Sequence, residues 1–366
     1  MNSPIESDIE KEKEKDLIEF QNFSNGEVHD RVYERLSVKK RGVEVAKAAT
    51  DYLALDSRES MISLLQNTLR GVVDSSSDNR KEILDASVGS GEIVDWFLSR
   101  ELEKHIGRKE IILNIVESSP KLIDDYKKRV AQYAHVKLGK ICNGKLQDYC
   151  RAGGKSPIPQ NSIDFINCMD SIYQLSDYTS NKSDPRADIA NLVKYFYGLL
   201  KPGGAIFISY HDTESDFASI NSKYYEDRLY DSTTTNKVKK IIQERKKLLC
   251  DGEIVRILRD EESKLKSSVK TIARLESHNI ATSFYARTLA ELAVMGLFGE
   301  YLKSDNKKFD YKKLEYLLGK LKEAATTDNA KGTRKQYGLG RADRGREALW
   351  KVEYPSTICI IRKDIV

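Results

Sequence analysis

Gly89 and Gly91 lie where an apolar segment ends and helical periodicity begins, at residues 93–105. Glycine has no Cβ, so a turn that contains two glycines lets the backbone approach a ligand closely. The first turn of the following helix presents free N–H groups and the positive end of the helix dipole. Because many tight turns contain two glycines, the spacing alone fits both a binding loop and a plain strand-to-helix turn.

Glu117 strengthens the first alternative. It comes directly after the next strand-like segment, at residues 111–116. An acid at the end of the second strand of an α/β unit, roughly 20 residues after the glycines, can accept hydrogen bonds from both hydroxyls of a ribose. The turn lacks the third glycine of a dinucleotide fingerprint, which disfavours a nicotinamide cofactor. A solvent-facing glutamate that opens the next helix is the alternative.

Strand and helix patterns alternate along the middle of the chain. The predicted strands span residues 82–86, 110–116, 136–142, 163–169 and 205–210, and the predicted helices span 93–105, 120–133, 145–152 and 189–200. Repeated βα units of this length require a parallel sheet with right-handed crossovers. An apolar segment at 296–302 is a candidate sixth strand, and residues 356–362 are a candidate final strand. We therefore expect a doubly wound, Rossmann-like α/β fold.

Other candidate binding residues lie where these strands end, because open α/β sheets bind ligands at that edge. Asp85 and Ser87 precede the glycines, Ser118 follows Glu117, and Asn143 and Gln147 follow the third strand. We expect Asn143 or Gln147 to contact an adenine ring. A simple helix cap is the alternative for both.

Composition excludes several classes of protein. The five cysteines form no CxxC pair and the five histidines have no metal-ligand spacing, so we expect neither a disulfide framework nor a metal site. No apolar run approaches the roughly 20 residues that span a bilayer. The first 15 residues are rich in Glu, Lys and Ser and have no apolar core, so they do not resemble a secretory signal. We expect a cytoplasmic protein.

The net charge of +5 is small for 366 residues, and one segment departs from the even mixing of charges. Residues 331–346 carry six basic side chains among several glycines: Lys331, Arg334, Lys335, Arg341, Arg344 and Arg346. This segment could contact phosphate or an acidic partner. A mobile surface loop is the favoured interpretation, and nucleic acid is not a favoured partner.

Two sets of motifs carry a family resemblance. The turn Leu200-Lys201-Pro202-Gly203-Gly204 before the fifth strand resembles that of class I S-adenosylmethionine-dependent methyltransferases. Within that class, the chain resembles the histamine N-methyltransferase family over roughly residues 45–215 and the last dozen. The matching runs are Gly89-Ser90-Gly91-Glu92-Ile93, Val116-Glu117-Ser118-Ser119, Asp164-Phe165-Ile166-Asn167-Cys168-Met169-Asp170-Ser171-Ile172-Tyr173 and Ser356-Thr357-Ile358-Cys359-Ile360.

The resemblance implies S-adenosylmethionine as the cofactor and roles for individual residues. Gly89, Glu117 and Met169 fall on cofactor-contacting positions, and Asp170 and Tyr173 fall on positions that line an amine pocket. With a gap in the alignment, Glu59 falls on an amine-binding glutamate of a helical lid. The chain departs from the family pattern at several residues: Ser87 replaces a glycine, Asp170 an amide and Gln174 a tyrosine, and Asp216 and Phe217 replace a tryptophan-rich sequence. These departures put the same substrate in doubt.

Together these observations predict a domain order. Residues 1–25 form a disordered arm, 26–75 a helical lid, 76–220 the cofactor-binding core, 221–285 a helical insertion or cap, and 286–366 the rest of the core. The five predicted strands, the candidate sixth strand and the candidate final strand together make an expected seven-stranded sheet. In the class I fold that this chain resembles, the final strand is antiparallel to the others.

The proposed chemistry is an in-line displacement on a methyl group. The protein must align the nucleophile with the methyl group and exclude water. Asp170 or Glu59 would hold an amine or accept its proton, and Tyr173 would make a cation–π contact. His211, just past the fifth strand, is a candidate base as in O-methyl transfer, or a hydrogen-bonded loop histidine.

Four functions remain open from the sequence. The preferred one is methylation of a nitrogen in a small amine or imidazole. A protein or peptide methyltransferase would use the segments at 331–346 and 221–277 for docking. An O-methyltransferase of a small metabolite would use His211, and a non-catalytic cofactor-binding module is the fourth alternative. The sequence does not specify the acceptor or the oligomeric state.

Overall fold

The computed structural model describes residues 55–75, 78–86, 109–151, 157–169, 184–211, 243–264, 269–280, 283–286, 315–316, 318–319, 340–344, 347–353 and 356–366. These residues belong to two compact units. The main unit takes its described residues from Ser60–His211, Lys237–Ile280 and Thr357–Val366. The second unit takes its described residues from Met1–Glu59, Asp212–Asn236 and Ala281–Ser356.

A seven-stranded sheet forms the main unit. Its strands are β1 (Arg80–Ala86), β2 (Glu110–Glu117), β3 (Val136–Asn143), β4 (Ile163–Cys168), β5 (Leu200–His211), β6 (Thr271–Ile280) and β10 (Ser356–Ile365). Their order across the sheet is β3-β2-β1-β4-β5-β10-β6. The pairs β1–β2, β1–β4, β2–β3 and β4–β5 are parallel. The expected α/β fold is thereby confirmed.

The C-terminal strand β10 runs antiparallel to both of its neighbours. Near its end, Lys363 Nζ donates to the carbonyl oxygen of Leu200 (2.8 Å), the first residue of β5. At its start, Thr357 Oγ1 donates to Asn279 Oδ1 (3.2 Å) near the end of β6. The Val366 N–H donates to the carbonyl of Lys270 (3.0 Å), just before β6 begins. The predicted antiparallel insertion of the final strand is confirmed.

Helices cover both faces of the sheet. They are α1 (Leu55–Asp74), α2 (Pro120–Val130), α3 (Leu146–Arg151), α4 (Pro185–Leu199) and α5 (Glu253–Lys264), with a further helical segment at 243–250. Ser119 and Asp184 cap α2 and α4, and Pro120 and Pro185 follow at the first helical position, where proline loses no hydrogen bond.

Two apolar clusters form the core, one on each face. Met61, Leu65 and Leu69 of α1 and Ile123 and Tyr126 of α2 pack on one face, which we call face A. Residues of α3, α4, the segment 243–250 and α5 pack on the other face, which we call face B. Because side chains alternate along a strand, neighbouring residues of β1 and β4 contribute to opposite faces.

Two sequence predictions about this unit need correction. Residues 271–277, placed in a helical cap by composition, belong to β6, the edge strand of the sheet. An edge strand is half exposed and accepts charged side chains, so its composition resembled that of the neighbouring helices. Residues 61–73, placed in a lid, bury Met61, Leu65 and Leu69 in the core of face A. The candidate sixth strand at 296–302 lies outside the described residues.

The second unit contains a three-stranded antiparallel sheet. Its strands are β7 (Ser283–Ala286), β8 (Gly340–Arg344) and β9 (Glu347–Glu353). Strand β9 lies in the middle and pairs with both of the others. The expected mobile loop at 331–346 is therefore wrong for Arg341 and Arg344, which lie in β8. Composition did not predict this strand, because Gly, Ala and Asp, which make up three of its five residues, are depleted in strands.

No helix in the described parts of the chain is both long and apolar enough to cross a membrane.

Candidate active site

The carboxyl ends of the central parallel strands bring several predicted site residues together. In β1 and β4, Asp85 is the register partner of Asn167. In β2 and β3, Glu117 is the register partner of Asn143. Since β1 and β2 are themselves adjacent, the two acids lie at the same edge of the sheet. This is the edge at which open α/β sheets bind ligands.

Asp85 lies in a buried hydrogen-bonded cluster. Asn167 Nδ2 donates to Asp85 Oδ1 (2.9 Å), and the hydroxyl of Tyr126 in α2 donates to Asp85 Oδ2 (3.1 Å). Asp85 is 4% exposed and Asn167 is 7% exposed. The cluster joins β1, β4 and α2 through side chains rather than backbone, so it fixes the carboxyl end of β1.

Burial raises the pKa of Asp85 to about 6. The hydrogen bonds from Asn167 and Tyr126 favour the ionised form and limit the rise, whereas the nearby charge of Glu117 adds to it. Both donors are neutral, so the described partners of this carboxylate bring no positive charge to it. A cation bound at this edge would favour the ionised form of Asp85.

Asn167 has an unused acceptor in the same cluster. Its Oδ1 atom is buried and receives no hydrogen bond from the residues that the structure describes. Buried amide oxygens normally have a donor, because losing water without a replacement is costly. An unmatched oxygen beside a buried carboxylate at the ligand-binding edge is the environment that an ammonium group or another donor would satisfy.

The carboxylate of Glu117 is held in place by the turn that follows β2. Its Oε1 atom accepts from the backbone N–H groups of Ser118 (2.8 Å) and Ser119 (2.9 Å). The N–H of Gly144 donates to the carbonyl of Glu117 (3.1 Å), which ties the end of β2 to the turn after β3. A carboxylate oriented in this way is prepared to accept hydrogen bonds from a pair of hydroxyls.

The other predicted site residues that the structure describes lie at strand ends, in the apolar core or in helices. Ser118 and Asn143 are exposed at the ends of β2 and β3. Met169 directly follows β4 and is buried in the cluster of face A. Gln147 lies in α3, His211 is the last residue of β5, and Glu59 lies in α1.

Five predicted site residues fall outside the described part of the chain: Ser87, Gly89, Gly91, Asp170 and Tyr173. They remain predictions, as do the roles assigned to the residues above.

Sequence reasoning missed Tyr126 and Asn167 as partners of Asp85. The signal for Asn167 was a polar residue in the strand Ile163–Cys168, all six of whose residues are buried. A buried amide in such a strand needs a partner, which the register with β1 supplies. Tyr126 carries a weaker signal, because a tyrosine on the buried face of a helix is common in apolar cores.

The acceptor groups at this edge have the chemistry to hold S-adenosylmethionine. That cofactor carries an ammonium group, a sulfonium and two ribose hydroxyls, for which the buried Asp85, the acceptor oxygen of Asn167 and the oriented carboxylate of Glu117 would be suitable partners. In the described ranges, no group of three or more His, Cys, Asp and Glu side chains is placed to hold a metal ion.

No model of a known protein family and no curated protein matches the sequence. Among solved structures, the chain is similar to phosphoethanolamine N-methyltransferase 2 of Haemonchus contortus, solved with S-adenosyl-L-methionine. The identity is 14%, the TM-score is 0.39, and the match covers 91% of this chain and 56% of that one.

A second similar structure is a protein of Galdieria sulphuraria, provisionally named a sarcosine dimethylglycine methyltransferase. The identity is 13%, the TM-score 0.39, and the coverage 92% of this chain and 98% of that one. A third is the [4+2]-cyclase SpnF, with 11% identity, a TM-score of 0.37 and coverage of 81% of each chain. The fold of the main unit is defined by the strand order and register of its own sheet.

Proposed function

We propose that this chain is an S-adenosylmethionine-dependent methyltransferase that acts on a nitrogen of a small amine or an imidazole-type substrate. One observation carries the proposal. Two acids, the buried Asp85 and the oriented Glu117, lie at the carboxyl ends of adjacent strands in a seven-stranded sheet with an antiparallel terminal strand. The motif resemblance to the histamine N-methyltransferase family supports nitrogen as the acceptor atom.

The cofactor would supply an activated methyl group on a sulfonium. Glu117 would accept hydrogen bonds from the ribose hydroxyls, and Gly89 and Gly91 would let the backbone approach the methionine portion. Asp85 and the acceptor oxygen of Asn167 would face its positive charge. The remaining proposed contacts are Ser87, Ser118, Asn143, Gln147 and Met169.

On the acceptor side, an amine must be neutral to act as a nucleophile. Asp170 or Glu59 would orient the amine and take its proton, and Tyr173 would form a wall of the pocket. His211, at the end of β5, is proposed as the base in the alternative case of an oxygen acceptor.

Calorimetry with S-adenosylhomocysteine tests the cofactor assignment. We expect binding to the wild-type chain and a loss of about tenfold in affinity, or about 1.4 kcal/mol, for Glu117→Gln. Glu110→Gln is the matched control, because Glu110 is at the opposite end of the same strand. Absence of binding by the wild type at millimolar ligand would end the proposal, and equal losses in both variants would remove Glu117 from the site.

A transfer assay with a radiolabelled methyl donor tests the acceptor. Amines, imidazoles, hydroxylated metabolites and peptides would be offered in parallel. We expect label in the amines or imidazoles. Label in the hydroxylated compounds alone would instead indicate an O-methyltransferase, and label in the peptides alone a peptide methyltransferase. Unchanged kinetics in Asp170→Asn would remove Asp170 from the acceptor site.

A further inference from the structure

A pair of thiols lies on face B of the main unit. Cys250, at the end of the helical segment 243–250, has its Sγ atom 3.9 Å from Sγ of Cys359 in β10. Both are free thiols. The residues are 109 positions apart in the sequence, so only the tertiary structure brings them together. The pair lies on the opposite face of the sheet from Tyr126, which contacts Asp85.

Their surroundings distinguish the two sulfurs. Cys250 is partly exposed, and the hydroxyl of Tyr210 lies 2.6 Å from its Sγ atom. Cys359 is fully buried, and its Sγ atom lies 3.6 Å from the carbonyl oxygen of Leu249. Cys250 is therefore the thiol that a dissolved reagent can reach, and Cys359 is the thiol held behind it.

We propose that Cys250 and Cys359 are an oxidation site, at which a peroxide converts the two thiols into a reversible disulfide that joins the helical segment 243–250 to β10. This role is separate from methyl transfer and does not depend on it. Chemically, it requires an attacking sulfur, a resolving sulfur and room for a small oxidant at the first sulfur.

The electrostatics support this division of roles. The hydrogen bond with Cys359 and the contact with Tyr210 lower the pKa of Cys250 to about 7, although burial acts in the opposite direction. The hydrogen bond with Cys250 and burial raise the pKa of Cys359. A thiolate is the nucleophile in thiol oxidation, so Cys250 reacts first.

The reaction balances with a peroxide as the oxidant. The Cys250 thiolate attacks one oxygen of hydrogen peroxide, the O–O bond breaks, and the departing hydroxide takes up a proton to become water. Cys250 is then a sulfenic acid. The sulfur of Cys359 attacks Sγ of Cys250, an S–S bond forms, the S–O bond breaks, and a second water leaves with the thiol proton.

Cys142 provides a control. Like Cys250, it contacts a tyrosine side chain, that of Tyr149, but it is fully buried, and burial raises the pKa of its thiol. None of its described hydrogen bonds is to a second thiol. If contact with a tyrosine were sufficient for oxidation, Cys142 would react as Cys250 does.

The experiment exposes the full-length chain to stoichiometric hydrogen peroxide at neutral pH, followed by mass spectrometry of the intact protein and of its peptides. We expect the loss of two hydrogens, a cross-linked peptide pair that contains Cys250 and Cys359, and reversal by dithiothreitol. Cys142→Ser should behave as the wild type does. The oxidised form should also melt at a higher temperature, because the bond closes a long loop.

Cys359→Ser separates the two steps. In this variant Cys250 should stop at the sulfenic acid and be trapped by dimedone, at a rate about tenfold or more above that of Cys142. A folded wild-type chain that forms no 250–359 cross-link would overturn the proposal. So would equal dimedone labelling of Cys142 and Cys250, or a disulfide that uses a different pair of cysteines.

Discussion

The two ends of the β1–β4 pair each bury an aspartate, and the two aspartates have opposite surroundings. Asp164, near the start of β4, accepts from Lys201 Nζ (2.8 Å) and from the backbone N–H of Glu82 (2.8 Å), and Lys81 Nζ lies 3.7 Å away. Asp85, at the end of β1, accepts from a neutral amide and a neutral hydroxyl.

The different partners of Asp164 and Asp85 indicate a structural role for the amino edge of the sheet and a candidate binding role for its carboxyl edge. At the amino edge, Lys201 and Lys81 both lie beside one buried acid, so the negative charge of Asp164 has cationic partners. Removing that acid would leave the buried Lys81 uncompensated, which indicates a structural role for the cluster. At the carboxyl edge, the described partners of Asp85 leave its charge unbalanced, and burial raises its pKa to about 6. Carboxylates with raised pKa values at a ligand-binding edge are typical of functional sites.

The largest expected effect is at the amino edge. Asp164→Asn leaves Lys81, which is fully buried and has a pKa lowered by burial, without its nearest carboxylate. We expect a loss of about 3–5 kcal/mol in the free energy of unfolding, measured by urea denaturation. The double variant Lys81→Met/Asp164→Asn should recover most of it, because no buried ammonium is then left without a carboxylate and the amide oxygen can still accept from the Glu82 N–H.

Lys201→Met is the control for that experiment, because its side chain is 29% exposed and a lost partner there is partly replaced by water. Its effect should be about 1 kcal/mol or less. If Asp164→Asn were as mild as Lys201→Met, the amino edge would not be a structural charge cluster.

The second prediction concerns pH and Asp85. The folded state holds the proton of Asp85 up to a pH of about 6, whereas the ordinary value of 3.8 applies to the unfolded chain. Between these values the folded state binds more protons, so stability falls as the pH rises from about 4 to about 6. The contribution of Asp85 to that fall is about 3 kcal/mol.

Asp85→Asn removes this contribution, since an amide does not titrate. Relative to the variant, the wild type should lose stability over that pH interval and then remain level above it. Thermal melts of the two proteins at matched pH values measure the difference. If the difference in melting temperature between wild type and variant were constant from pH 4 to 7, Asp85 would have an ordinary pKa. The contrast between the two edges of the sheet would then be wrong.

The smallest effect is expected for Tyr126→Phe. The variant removes one hydrogen bond that favours the ionised carboxylate, so the pKa of Asp85 should rise and the fall in stability should extend to higher pH. The loss at pH 7 should be about 1 kcal/mol. Melts across the same pH series would detect it, and an unshifted profile would mean that Tyr126 only packs against Asp85.

The sequence predicted the central strands and the position of Glu117 well because these depend on local patterns. Runs of apolar residues bounded by turns marked β1, β2 and β4, and their observed bounds differ from the predicted ones by at most two residues. Gly203 adopts a φ of +85°, as the predicted Lys-Pro-Gly-Gly turn requires. The turn was expected before a strand at 205–210, but it lies within β5, which begins at Leu200 and has a shift in its register with β4 there. Edge strand β6 was missed because its alternating charged residues do not resemble a buried strand.

What the sequence determined by itself was the kind of sheet, because strand periodicity and turn residues act within a few positions of one another. The edge at which we propose that a ligand binds follows from that kind of sheet. Only the tertiary structure decided which polar groups meet. Asn167 reaches Asp85 across 82 residues, and Cys359 reaches Cys250 across 109. Such pairings depend on strand order and register, and these follow from burying both faces of the sheet at once.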